Sequence, residues 1–132
     1  MSPPILENVD VDEFKSVLAA LPREKMIIVR FTADWCKPCQ TIDEVCQDYF
    51  SKCDDNIVPM IVDIVETVEL YGTLKRYKMV NGIPVLLAFH GNRTDEVWYV
   101  PSDSHVGGDI SVLNGFFKRC DDYVVLMKNP SS

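Results

Sequence analysis

The stretch from Met26 to Cys53 constrains this chain more than any other. It opens with MIIVRF (Met26–Phe31), an apolar run broken by one charge, Arg30, which predicts a buried strand. Next comes Trp35-Cys36-Lys37-Pro38-Cys39. An apolar stripe at helical spacing follows: Ile42, Val45, Cys46, Tyr49, Phe50 and Cys53, at offsets of 3, 4, 7, 8 and 11 from Ile42. Gln40, Thr41, Asp43, Glu44, Gln47, Asp48, Ser51 and Lys52 fill the other face. That pattern predicts a helix packed on a core. Pro38 suits its first turn, where a missing N–H leaves no bond unmade.

The rest of the chain alternates in the same way. Asp10 stands three residues before Glu13 in a capping arrangement, and Phe14, Val17, Leu18 and Leu21 follow at helical spacing until Pro22 stops them. Ile5, Leu6 and Val9 form a run too short to assign alone. Ile57–Asp63 reads as a strand, with Pro59 suggesting an edge or a bulge. Glu66–Tyr77 reads as a helix with Leu70, Leu74 and Tyr77 inward, and Asn81-Gly82 as a turn. Pro84–Phe89 and Glu96–Val100 read as the strands of an antiparallel hairpin. Asp109 can cap a last helix carrying Ile110, Leu113, Phe117 and Cys120 inward. The order strand, helix, strand, helix, strand, helix, hairpin, helix predicts a three-layer α/β fold with a central mixed sheet. With 132 residues the chain is expected to be one domain, 1–132, with its core in 9–122 and a loose polar tail at 128–132.

Composition narrows the function classes. Acids outnumber bases 20 to 13, a net charge of −7, which argues against a broad phosphate-binding or nucleic-acid surface. The longest apolar runs are far too short to span a membrane. The first residues lack the basic and apolar regions of a secretory signal, so a reducing, cytoplasmic location is expected. Five cysteines fit that location, since the number is odd and the core is large enough to need no disulfide framework.

The chemistry concentrates at Cys36 and Cys39. A strand that delivers Cys36 to a helix N-terminus sets its sulfur among unpaired N–H groups and the positive end of the helix dipole, both of which favour the thiolate. Thiolate is the nucleophile of disulfide exchange, and Lys37 adds a positive charge beside it. Cys39 lies one turn on and continues the buried stripe. This predicts an exposed attacking thiol and a shielded second one.

These residues resemble the thioredoxin family. The likeness rests on Phe31-Thr-Ala-Asp-Trp35-Cys36-Lys37-Pro38-Cys39 and on Gly82-Ile83-Pro84 ahead of the apolar strand Val85–Phe89, and it extends in element order over Val9–Asp122. The resemblance implies the thioredoxin fold and a protein dithiol–disulfide oxidoreductase, a reductase and electron carrier in cell redox homeostasis. It implies that Cys36 attacks a substrate disulfide and that Cys39 resolves the mixed disulfide, leaving a Cys36–Cys39 bond. It implies a cis Pro84 beside that bond, with the backbone of Ile83 pairing with an extended substrate segment. No bound cofactor is implied. The partners would be disulfide-containing proteins and an external reductase, flavin- and NADPH-dependent, or a low-molecular-weight dithiol. The protein would act as a monomer.

Three departures from the family pattern stand out. The family usually has a buried Asp six residues before the first cysteine; here that position is Arg30, and the Lys that commonly faces it falls at Pro59. Two readings of Arg30 are open. As a cation beneath the site it would favour thiolate at Cys39 and stabilise the reduced form. Alternatively it turns outward or reaches a carboxylate such as Asp63. Counting also puts Pro101 near a glycine on the family's substrate rim, followed by an insert from Ser102 to Gly108. The segment from Asp63 to Pro84 is longer than usual too. The expected groove is Trp35, Lys37, Pro38, Ile83, Pro84, Val100 and Pro101, with altered partner choice.

The remaining candidates have plainer readings. No second Cys or His pair accompanies Cys36 and Cys39, so no metal site is expected. Cys46, Cys53 and Cys120 lie on apolar stripes and read as buried free thiols. His90 and His105 read as solvated loop residues, and Asn92-Arg-Thr94 as a turn rather than a glycosylation site. Trp35 reads as a wall of the groove. The alternative function is a thioredoxin-fold adaptor or assembly module with vestigial redox activity.

Overall fold

The computed structural model describes residues 5–128. The element order is β1 (Leu6–Glu7), α1 (Val11–Ala20), β2 (Met26–Thr32), α2 (Lys37–Lys52), β3 (Ile57–Asp63), α3 (Val68–Arg76), β4 (Val85–His90), β5 (Asp103–Val106) and α4 (Ile110–Lys128). The strands form one sheet in the order β1-β3-β2-β4-β5. β1, β3 and β2 run parallel; β4 runs antiparallel to β2, and β5 antiparallel to β4.

Alternation along the strands divides the core into two layers. Ile27, Val29 and Phe31 of β2 and Val85, Leu87 and Phe89 of β4 face α1 and α3, where they meet Phe14, Leu18, Leu70 and Leu74. Met26 and Ile28 of β2 and Leu86 and Ala88 of β4 face α2 and α4, where they meet Ile42, Cys46, Phe50, Leu113, Phe116 and Phe117. By the same alternation Arg30 belongs to the α2–α4 face, and it is 2% exposed. The α/β/α layering inferred from the order of elements is thus the observed one.

Local signals explain the element ends. Asp10 caps α1, its Oδ1 accepting from the Glu13 N–H at 2.8 Å. Asp109 Oδ1 accepts from the Val112 N–H at 3.1 Å at the start of α4. Pro59 sits in β3 without breaking it. The backbone groups of Ile61 and Asp63 point to the β1 side, so those of Pro59 do too. Among the described residues β1 pairs only with Met60 and Ile61, so the proline's missing N–H leaves no bond of that ladder unmade.

Several expectations require correction. Glu96–Val100 is a turn, and the second strand of the hairpin is Asp103–Val106, inside the supposed insert. The carbonyls of Val97 and Val100 accept from the Arg93 guanidinium at 2.8 and 2.9 Å, and Val100 N–H donates to Val97. Groups spent on that turn are withdrawn from a ladder. Tyr77 is exposed at the C-cap of α3, its ring tilted over that of Tyr99 with centres 3.8 Å apart. Ile110 is also exposed, while Phe116 and Val124 complete the inner face of α4. His105 is buried against Phe116 rather than solvated, because it lies on β5 and not in a loop. The expected loose tail begins too early, since Lys128 is helical and its ammonium donates to Asp54 at 2.6 Å; residues 129–132 lie outside the described residues.

Cys46, Cys53 and Cys120 are free and buried. Desolvation pushes Cys46 and Cys53 up to about 11 and Cys120 to about 12, from an ordinary 9.0. Each folded thiol keeps its proton to higher pH than the unfolded chain does. Their contribution to stability is whole below about 9 and is lost as pH rises through about 11 to 12. The urea midpoint is therefore expected to drop between pH 8 and pH 11. Cys120→Ala should shrink that drop; an equal drop in wild type and variant would assign it to other groups.

Candidate active site

The site is built where β2 ends and α2 begins. Ala33 accepts from the Cys36 N–H at 3.1 Å, turning the chain so that Cys36 becomes the N-cap of α2. The Gln40 side chain ties the turn down by donating to the Asp34 carbonyl at 2.7 Å. Cys36 and Cys39 are joined by a disulfide, with Cα atoms 5.2 Å apart. The Cys39 N–H donates to Cys36 Sγ at 3.1 Å. That contact does for sulfur what an N-cap oxygen does for Ser or Asp, and it strengthens when the sulfur carries charge. A thiolate at Cys36 therefore gains an N–H donor and the helix dipole together.

The disulfide is enclosed more than the sequence predicts. Cys36 is 4% exposed and Cys39 1%, both packed with Ala33, Ile64 and Ile83. The order of exposure is as expected, but the attacking residue is shielded in the disulfide form. Trp35, in contrast, is 67% exposed immediately before it, and Lys37 and Pro38 are exposed immediately after. The opposing wall is the Ile83–Pro84 segment, whose peptide bond is cis. Gly82, at φ +116°, makes the turn into it, its N–H donating to the Tyr71 hydroxyl at 2.8 Å.

Val100 and Pro101 do not join this groove. In the antiparallel β4–β5 pair Val85 lies opposite Val106 and Ala88 opposite Asp103. Pro84 is therefore beside the end of β5, while Pro101 precedes its start at the far end of the sheet. The rim is instead Gly107-Gly108. Gly107 N–H donates to the Pro84 carbonyl at 3.0 Å. A Cβ on Gly108 would stand 3.3 Å from Pro38 Cβ, so glycine lets the loop after β5 close on the first turn of α2. Reading Glu96–Val100 as a strand displaced the rim by about one strand length. The glycine pair after a β-branched residue was the signal that could have located it.

Arg30 combines its two expected forms: it is a cation buried beneath the site, and it reaches a carboxylate, though that carboxylate is Asp43 and not Asp63. Its Nη1 donates to Asp43 Oδ1 at 2.8 Å and its Nη2 to the Cys39 carbonyl at 2.9 Å. Asp43 lies one turn after Cys39 on the same face of α2 and was absent from the sequence candidates. Among the described residues no group of three or more His, Cys, Asp or Glu is placed to hold a metal, and no helix is long and apolar enough to cross a membrane.

The Thioredoxin family model matches residues 5–103. Thioredoxin H8 of Arabidopsis thaliana is 35% identical over 69 residues, covering 51% of this chain and 47% of that protein. The Buchnera aphidicola thioredoxin is 32% identical over 91 residues, covering 66% of this chain and 74% of that protein. The match thus spans about half the length of the first relative and three quarters of the second. The reduced Schistosoma mansoni thioredoxin pre-protein superposes with a TM-score of 0.65 at 21% identity, over 89% of this chain and 98% of that one. A thioredoxin f2 solved in complex with ferredoxin:thioredoxin reductase superposes at 0.66 with 16% identity, over 88% and 94%. At these identities the structural likeness is one of fold.

Proposed function

This chain belongs to the thioredoxin family, and from that premise we propose that it is a protein dithiol–disulfide oxidoreductase working as a reductase and electron carrier. The observation that supports this most is the Cys36–Cys39 disulfide at the N-terminus of α2, with an N–H aimed at the attacking sulfur. The reduced protein brings the Cys36 thiolate to a substrate disulfide. One substrate sulfur leaves as a thiolate and takes up a proton, and Cys36 is left in a mixed disulfide. The Cys39 sulfur then attacks Cys36 Sγ, the Cys36–Cys39 bond forms, and the second substrate sulfur leaves. Two electrons pass from the protein dithiol to the substrate disulfide.

The substrate segment lies between Trp35 and Pro38 on one side and Ile83, Pro84 and Gly108 on the other. The backbone of Ile83 is its pairing edge. An external reductase returns the disulfide to the dithiol. The thioredoxin f2 complex with ferredoxin:thioredoxin reductase supports a reductase partner in general; a flavin- and NADPH-dependent enzyme or a low-molecular-weight dithiol would serve equally. Three unpaired buried thiols support a reducing, cytoplasmic setting, and the protein acts as a monomer.

Insulin-disulfide reduction driven by dithiothreitol tests the activity, and Cys39→Ser tests the order of steps. That variant lacks the resolving sulfur and is expected to hold substrate in a mixed disulfide at Cys36, released by reductant. Wild type that gives no turnover, together with a variant that traps nothing, would favour the adaptor reading instead.

A further inference from the structure

Among the described residues Arg30 is the one Lys, Arg, Asp or Glu that is buried. Its position is dictated by β2, which alternates inward and outward and turns this residue to the α2 face. A guanidinium cannot shed its charge, so it must be paired where it lies. The fork divides between two groups one helical turn apart. Nη1 meets the Asp43 carboxylate and Nη2 the Cys39 carbonyl, while Nε is buried with no partner. Asp43 spends its other oxygen on the Gln47 amide at 2.8 Å, and its side chain is 49% exposed.

This places a fixed positive charge against the turn that carries the resolving cysteine. A cation there favours the thiolate, and the adjoining carboxylate opposes it. The neighbouring thiol Cys46 registers both influences. Desolvation dominates its rise to about 11, with Arg30 drawing it down and Asp43 pushing it up. The other titratable groups near Cys39 are Cys36 and the exposed Lys37 on its own turn. From β5, His105 lies in the same row of the sheet, separated from Arg30 by Leu86. Ile64 and Ile83 contribute only apolar surface.

We propose that Arg30 and Asp43 form a charge couple that serves the resolving step, with Arg30 positioning Cys39 and favouring its thiolate and Asp43 holding Arg30 and limiting that effect. The inference rests on the oxidoreductase reading of the same site. In the mixed disulfide the Cys39 thiol gives its proton to water and its sulfur attacks Cys36 Sγ. The Cys36–substrate bond breaks, and the departing substrate thiolate is protonated from solvent. Arg30 stays charged throughout. Arg30 is thus a positioning residue, acting through Cys39 and not on the substrate.

The test uses Asp43→Asn and Arg30→Met. Cys39 is titrated in a Cys36→Ser background, and the dithiol–disulfide equilibrium is measured against glutathione in the otherwise native protein. Asp43→Asn leaves Arg30 unopposed. It should lower the Cys39 titration midpoint by about one pH unit. Measured at a pH above that midpoint, where the reduced form carries the thiolate, it should also shift the equilibrium toward the reduced form by roughly tenfold, a rise of about 30 mV. Arg30→Met should move both quantities the opposite way. If the methionine variant does not fold, Asp43→Asn decides alone, since it alters a half-exposed side chain. A folded Asp43→Asn protein in which neither quantity moves, or in which they move opposite to these directions, overturns the proposal. Neither measurement requires a protein substrate. Inactivity on insulin with these shifts intact would reject the reductase reading alone, and normal insulin reduction without the shifts would reject the couple alone.

Discussion

Cys36→Ser is expected to abolish insulin-disulfide reduction, with turnover falling roughly a thousandfold or more, as when other covalent nucleophiles are removed. Serine is close in size and is itself a favoured N-cap, so its hydroxyl can accept the Cys39 N–H that Cys36 Sγ accepts. The fold at the start of α2 is thereby kept, and the chemistry is not. A hydroxyl cannot form a mixed disulfide, and at neutral pH it is not ionised by an N–H contact and a helix dipole that suffice for a thiol. The comparison belongs between reduced wild type and the variant, so that the disulfide's own contribution is equal in both. Their unfolding free energies in urea should then differ by no more than about 1 kcal/mol. Turnover retained within tenfold of wild type would mean that Cys36 is not the nucleophile. A variant that unfolds would mean that the sulfur is structural first.

Phe14→Ala should produce the largest loss of stability, about 3–5 kcal/mol, the usual range for a buried phenylalanine truncated to alanine. Phe14 is fully buried under α1 and meets Phe89 edge-on, ring centres 5.1 Å apart, and Trp98 at 5.9 Å. Its ring joins three parts of the chain: helix α1, strand β4 and the turn after β4. Alanine would leave a cavity between them that backbone already engaged in a sheet cannot close. Set against a typical domain stability of about 5–15 kcal/mol, the loss is a large fraction of the whole. The thermal midpoint should fall by roughly 10–15 °C. Thermal or urea unfolding of the two proteins measures it directly. A double-mutant cycle with Trp98→Ala should show a coupling of about 0.5–1.5 kcal/mol from the ring pair. A loss under 1 kcal/mol would show that the ring's place is refilled and that the Phe14 cluster is not the keystone of the α1 face.

Much of this was legible before any coordinates, because the signals are local. The stripe from Ile42 to Cys53 is a helix packed on a core because 3.6-residue periodicity allows little else. Asp10 and Asp109 cap helices because a carboxylate reaches N–H groups two or three residues ahead. Even Pro59 was interpretable as an edge feature, although which edge depended on the short reach of β1. The misreadings have a common cause. Glu96–Val100 alternates like a strand, yet Arg93 captures its carbonyls, and nothing in the pattern shows where an arginine a few residues away will point. That error carried Val100 and Pro101 into the groove and left His105 in a loop. Tyr77 and Ile110 are the C-cap of α3 and the first residue of α4, and periodicity does not say how far along its length a helix still meets the core.

By itself the sequence determined the chemistry of Cys36 and Cys39: a strand, a sharp turn and a helix N-terminus are all set by residues within a few positions of one another. Only the tertiary structure decided what surrounds that pair. Asp43 as the partner of Arg30, Gly108 against Pro38 and His105 beneath α4 each depend on elements from different parts of the chain meeting across the sheet. The physical reason is one of range. Caps, dipoles and periodicity act through a turn or two of backbone, whereas the pairing of a buried charge is chosen by strand alternation and helix packing together. Arg30 shows the division clearly, since its buried depth follows from β2 but its consequence follows from α2.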